Sequence, residues 1–259
     1  MSQDKILLEM RGHTALLTIN NPPANTWDLE SLGALEQTVR RLNDDPQVYA
    51  LVITGQGDKF FSAGADLKQF ASGDKKAARA VSDQFARAFE ALSEFSGVTI
   101  AAINGYAMGG GLECTLACDI RIAEEQAQMA LPEASVGLLP CAGGTQNLPW
   151  LVGEGWAKRM ILCGERINAQ RAEKIGLVEE VVPRGESLQV ALQLAERVAA
   201  QSPSSVSRCK RLVMNARENG HAKGWLAERD LFDELFDTQD QKEGVNAFLE
   251  KRPPQWRNA

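Results

Sequence analysis

Apolar residues follow two alternating patterns along this chain. Residues 14–19, 49–54 and 99–104 are short apolar runs, mostly bounded by Gly, Pro or Asn, and read as strands. Residues 118–122 and 177–182 form two further, less sharply bounded strands. Between them, Leu29, Leu32, Leu35, Val39 and Leu42 recur at three- and four-residue steps, and Val81, Phe85, Phe89, Leu92 and Phe95 repeat the pattern. Both sets predict amphipathic helices. The alternation predicts an α/β domain with a largely buried sheet.

The character changes after about Val182. From Glu186 onward only helical periods remain: Leu188, Leu192, Ala195 and Val198, then Val206, Cys209 and Val213. Ser202-Pro203 opens the second of these with a cap and a proline at the first helical position. A third helix carries Leu226, Phe232, Leu235 and Phe236, and a fourth carries Val245, Phe248 and Leu249. The tail is therefore a helical appendage, and its aromatic and aliphatic residues call for a partner subunit to cover them. No internal repeat and no freely separating linker is present.

Composition narrows the function. With 44% hydrophobic and 24% charged residues in 259, the chain is an ordinary globular protein. A net charge of −6 argues against nucleic-acid binding, which needs a basic surface. The five cysteines, Cys114, Cys118, Cys141, Cys163 and Cys209, lack paired spacings and read as free thiols of a reducing compartment. Only two histidines exist, His13 and His221, and no Cys or His pair completes a zinc site. No signal-peptide core or membrane-length apolar run is found, so the expectation is a cytoplasmic protein without membrane partners. A mitochondrial protein that had lost its presequence would look the same.

Three segments carry candidate chemistry. Phe60-Phe61-Ser62-Ala63-Gly64-Ala65-Asp66-Leu67 is a small-residue turn that lets a ligand approach the backbone, with Asp66 capping a short helix toward Phe70. Taken alone it reads as a plain strand-to-helix turn. Asn104-Gly105-Tyr106-Ala107-Met108-Gly109-Gly110-Gly111-Leu112-Glu113 places glycines between a strand and a helix, leaving free N–H groups that favour negative charge. The loop has neither phosphate-loop spacing nor GxGxxG, so a developing oxyanion suits it better than a nucleotide. Glu113 reads equally as a first-turn acid or as a catalytic group. In the third segment, running from Leu131 to Gln146, Pro132 at a first helical position puts Glu133 in the opening turn. There too helix pairing is the simpler reading of the residue alone. Gly143-Gly144 reads as a tight turn.

The order of these segments is the specific signal. From about residue 5 to the end, the chain resembles the crotonase (enoyl-CoA hydratase/isomerase) family in Phe61-Ser62-Ala63-Gly64-Ala65-Asp66, in Asn104 to Glu113, in Pro132-Glu133, in Gly143-Gly144-Thr145-Gln146 and in Gly244 to Arg252. The resemblance implies a spiral of ββα units over residues 1–195 and a helical region over 196–259 that builds trimers or dimers of trimers. It further implies that the backbone N–H groups of Ala65 and Gly110 form an oxyanion hole for the thioester oxygen of a coenzyme A ester. Ala63, Asp66, Leu67, Lys68, Gly109, Leu138, Pro140 and Cys141 would line the substrate. Lys68, a candidate for the phosphates, reads equally as a solvated surface residue, and residues 69–80 are expected in the acyl wall.

The implied reaction is reversible addition of water to a trans-2-enoyl-CoA in fatty acid or related acyl-CoA catabolism, with no metal or redox cofactor. Glu113 would activate the water and Glu133 protonate the α-carbon, which requires an upward-shifted pKa. Alternatives are double-bond isomerisation, which needs one carboxylate, and non-catalytic acyl-CoA binding, which needs neither. The chain departs from the family pattern at Cys141, where many hydratases have Gly, at Asn20-Asn21-Pro22-Pro23, and at Trp27, where smaller residues are common. Cys141 has no evident His partner to activate it as a nucleophile.

Overall fold

The computed structural model describes residues 4–217 and 221–259. The chain opens with an antiparallel pair, β1 (Ile6–Arg11) and β2 (Thr14–Ile19), followed by helix α1 (Leu29–Asn43). Three units then repeat one plan, a long strand, a short strand and a helical segment. These are β3 (Ala50–Gly55), β4 (Phe60–Ser62) and α2 (Lys75–Glu94); β5 (Val98–Ile103), β6 (Tyr106–Met108) and α3 (Gly110–Leu116); and β7 (Ile120–Glu124), β8 (Gln128–Ala130) and α4 (Gly144–Leu162). The strand β9 (Ile167–Asn168), helix α5 (Ala169–Lys174) and strand β10 (Glu180–Val182) close the core, and α6 (Ser187–Ala199), α7 (Pro203–Asn215), α8 (His221–Leu235) and α9 (Gln239–Glu250) follow.

The long strands form a six-stranded sheet in the order β1-β2-β3-β5-β7-β10, parallel except for β1 against β2. The short ones form a second sheet, β4-β6-β8-β9, parallel through its first three strands. This is the expected spiral of ββα units. Both faces of the large sheet are covered, which explains its continuous apolar runs. Leu51 and Ile53 face the main core, while Ala50 and Val52 face a second cluster closed by Ala191 and Ala195 of α6. The expected division at residue 195 thus lies inside a helix that packs on the sheet.

The two predicted amphipathic helices form with caps that the sequence supplies. Asp28 accepts from Ser31 N while Ser31 Oγ accepts from Asp28 N, and Asp74 caps α2. Leu32, Leu35, Val39 and Leu42 of α1 pack with Val81, Phe85, Phe89 and Leu92 of α2 in one core. Elsewhere the structure corrects the sequence reading. The strand expected over 118–122 begins at Ile120, after α3 is capped, and that over 177–182 is confined to Glu180–Val182. Strands β1, β4, β6, β8 and β9 and helices α4 and α5 were not predicted. Three-residue strands are too short to show alternation, and α4 is interrupted by Pro149 and by Gly153 at φ 75°. Pro132 is the N-cap of a short 3₁₀ turn, Glu133–Val136, instead of its first residue.

Among the described residues no helix is long and apolar enough to cross a membrane, and no cluster of three or more His, Cys, Asp or Glu is placed to hold a metal. The ends of β3 and β5 are fastened by buried Asn104. Its side chain donates to Gly55 O at 2.8 Å and Gly57 O at 2.7 Å, and accepts from Gly55 N at 3.2 Å. Replacing Asn104 by Ala leaves these groups without their side-chain partner. We expect Asn104→Ala to lower the unfolding free energy by about 2–4 kcal/mol. The urea midpoint measures this, and an unchanged midpoint rules out the fastening role.

Candidate active site

Because β4, β6 and β8 run parallel and adjacent, their C-terminal ends deliver three segments to one place: residues 63–66, 109–113 and 131–133. In the first, Ala63 N donates to Ala24 O at 3.0 Å, Trp27 N to Gly64 O at 2.8 Å and Asp66 N to Trp27 O at 2.9 Å. Trp27 and Ala65 therefore form a parallel bridge in which the N–H of Ala65 points away from Trp27. On that side lies the second segment. A side chain on Gly64, at φ 89°, would meet Met108 O at 2.6 Å and Gly110 N at 3.3 Å, so only glycine permits this approach.

Gly109 adopts φ 52° and ψ −124° and starts α3. As the first residue of that helix, Gly110 has no intrahelical acceptor for its N–H. One turn on, Glu113 is only 2% exposed. Its Oε1 accepts from Ala142 N at 2.8 Å and Gly144 N at 2.9 Å, both at the start of α4. Burial pushes the Glu113 carboxyl above its ordinary range, while the N–H groups of Ala142, Gly144 and Cys141 pull it back.

Glu133 is held differently. Its carboxyl lies against Gly109, where an added Cβ would meet Oε1 at 3.0 Å. Both carboxyl oxygens are shielded from solvent, and among the described residues no other residue donates to either. Burial pushes its pKa up to about 7, its own backbone N–H pulls it partly back, and the charge of Glu113 adds to the rise. The two glutamates thus share one cavity of about 180 Å³ but differ in what surrounds each carboxylate.

Ala63, Ala65, Leu67, Gly109, Gly110, Leu138 and Cys141 line this cavity with the two glutamates. Asp66, Lys68 and Pro140 do not: Asp66 turns its carboxylate to Lys68 N, and Pro140 packs behind the cavity beside Gly144. Of residues 69–80 only Phe70 reaches the lining. Cys141 lines the cavity but is exposed at its edge, and partial desolvation with the charge of Glu113 raises its thiol, which makes it a weaker nucleophile. Phe85, Met108 and Val136 in the wall, and the N–H groups of Ala142 and Gly144 that hold Glu113, were not foreseen from the sequence. Gly143-Gly144 was the available signal, since a side chain on Gly144 would strike Glu113 Oε1 at 2.9 Å.

A model of the enoyl-CoA hydratase/isomerase family matches residues 9–259. The chain belongs to that family. It is 38% identical to 2,3-dehydroadipyl-CoA hydratase of Escherichia coli (strain K12), with 98% of each chain covered. It is 39% identical to crotonyl-CoA hydratase of Syntrophomonas wolfei subsp. wolfei, with 97% of each covered. Among solved structures, Pseudomonas aeruginosa DspI superposes with a TM-score of 0.96 at 64% identity, covering 99% of this chain and 98% of that one.

In this family member Glu133 is half-buried with its carboxyl raised, and the consequence for stability has a definite sign. A carboxyl raised from 4.5 to about 7 binds more protons folded than unfolded, so it costs stability as pH rises through that window. Glu133→Gln is therefore expected to be more stable than the wild type above pH 7, by about 1–2 kcal/mol once solvent screening is allowed for. The difference should vanish below about pH 4.5. Urea unfolding at pH 4 and pH 8 measures it; a gap that is the same at both would contradict the assignment.

Proposed function

We propose that this protein is an enoyl-CoA hydratase, in which Glu113 acts as base, Glu133 as acid, and the N–H groups of Ala65 and Gly110 as the oxyanion hole. The observation that carries this reading is the asymmetry of the two carboxylates. Glu113 accepts hydrogen bonds from the N–H groups of Ala142 and Gly144, whereas no other described residue donates to the Glu133 carboxyl, whose pKa is about 7. We assign the proton that the pair shares to Glu133 and the ionised form to Glu113. The hydratase names of the relatives from E. coli and S. wolfei agree with this chemistry.

The reaction then balances without an added cofactor. Glu113 takes a proton from water as its oxygen bonds to the β-carbon of the enoyl thioester. The alkene electron pair moves toward the thioester oxygen, and the enolate that forms accepts from Ala65 N–H and Gly110 N–H. One such donor is worth roughly 2.7–4 kcal/mol in other acyl-transfer sites. Glu133 delivers its proton to the α-carbon, the carbonyl re-forms, and a 3-hydroxyacyl-CoA results. Proton exchange with solvent resets the pair. The apolar wall of Phe70, Phe85, Val136 and Leu139 suits the acyl chain. We assign the activity to fatty acid or related acyl-CoA catabolism in the cytoplasm.

A second copy of the chain is the proposed cover for the C-terminal helices. Trp225 is 58% exposed, Phe232 61%, Phe248 83% and Leu249 71%, more apolar surface than a lone helical face normally presents. Trimers or dimers of trimers fit this. Sedimentation should show three or six chains, with Phe248→Glu shifted toward smaller species; a wild-type monomer would contradict the assembly.

Loss of the conjugated thioester absorbance of crotonyl-CoA tests the reaction. Glu113→Gln and Glu133→Gln should each lower kcat by at least about 100-fold while KM changes little. The wild-type rate of hydration should fall as pH rises through about 7, because Glu133 then loses its proton. A folded variant of either residue that keeps a near-wild-type rate would overturn its assignment.

A further inference from the structure

Trp27 is fully buried, yet it takes no part in the proton transfers. Its main chain clamps the segment that carries Ala65, through Trp27 N to Gly64 O at 2.8 Å and Asp66 N to Trp27 O at 2.9 Å. Gln69 Nε2 also donates to Trp27 O at 3.0 Å, tying the following turn to the same carbonyl. Its side chain reaches the other donor. An added Cβ on Gly110 would meet the indole Cδ1 at 3.6 Å and the ring of Phe85 at 2.8 Å. The indole plane is set in turn by an edge contact with Phe89, centroids 5.8 Å apart at 73°.

One residue therefore clamps the first half of the proposed anion site and lies beside the second, on segments that are far apart in sequence. The indole Nε1 has no acceptor and is shielded from solvent. An aliphatic residue would bury no such unpartnered donor, so hydrogen bonding does not account for the indole. Its shape does: it fills the space between the Trp27–Ala65 bridge and the Gly110 backbone. Resting on the reading of Ala65 and Gly110 as the oxyanion hole, we infer that Trp27 is a positioning residue that fixes the direction and separation of these two N–H donors. It acts through the backbone and touches no reacting atom.

The test uses the full-length protein with Trp27→Leu and Trp27→Phe. The probe is butyryl-CoA labelled with ¹³C at the carbonyl, which binds as a thioester but has no double bond to hydrate. Its infrared carbonyl stretch reports how strongly the two donors pull on the oxygen. Wild type should lower the stretch relative to water, and Trp27→Leu should restore most of that shift. In crotonyl-CoA assays the same variant should lose at least about tenfold in kcat with KM changed less than about threefold, and Trp27→Phe should recover part of both signals. A folded Trp27→Leu protein with an unchanged carbonyl shift overturns the inference, whether its kcat is normal or reduced. Should Trp27→Leu not fold, Trp27→Phe decides: an intermediate shift supports the inference and a wild-type shift overturns it. A wild type that leaves the carbonyl unshifted would instead remove the oxyanion-hole reading, and the role of Trp27 with it.

Discussion

Two backbone N–H groups, those of Ala142 and Gly144, donate to a single oxygen of Glu113, and the proposed division of labour in the cavity depends on them. They pull the Glu113 carboxyl back against the rise that burial imposes, whereas no other described residue donates to Glu133, which burial and the charge of Glu113 lift to about 7. The turn that supplies these donors requires glycine twice. Gly143 sits at φ 95°, and a side chain on Gly144 would collide with the carboxylate it serves.

The fold makes this arrangement by repetition. Each ββα unit sends a long strand into the buried six-stranded sheet and a short strand into the smaller one. The inner long strands bury apolar side chains on both faces, where the helices pack to complete the core. The short strands contribute little burial but set the spacing of the three segments that follow them. Stability and chemistry are therefore divided between the sheets, and a buried acid at the rim of a well-packed core is tolerable. The raised carboxyl of Glu133 lowers stability at neutral pH, and the proposed role of that residue as acid accounts for its retention.

The parts of the fold that were legible in the sequence are those whose period repeats often enough to be seen. The strands around residues 14–19 and 49–54, the helices of Leu29–Asn43 and Lys75–Glu94, and the capped helix at Ser202-Pro203 all have that length. Tyr106–Met108 and its parallel neighbours carry three residues each, and they are fixed by tertiary pairing instead of local pattern. Helix α4 was hidden because Pro149 and Gly153 interrupt it and its apolar residues make no single stripe. Glu113 and Glu133 were singled out from motif order, but nothing local to either says which would be the acid. That difference arises from Ala142 and Gly144, about thirty residues beyond Glu113, and only folding brings them together. Trp27 looked merely oversized in the sequence, since its contact with Gly110 spans two units of the spiral.

The account stands on one carboxyl being protonated near neutrality while its neighbour is ionised. Direct titration tests this most closely: ¹³C NMR of protein labelled at glutamate side-chain carboxyls, followed from pH 4 to pH 9 and compared with the same spectra of Glu133→Gln. The expected result is one resonance that titrates near pH 7 and disappears in the variant. If every glutamate of the folded wild type is ionised by pH 5, no acid is held in the cavity and the proposed pairing of roles is wrong.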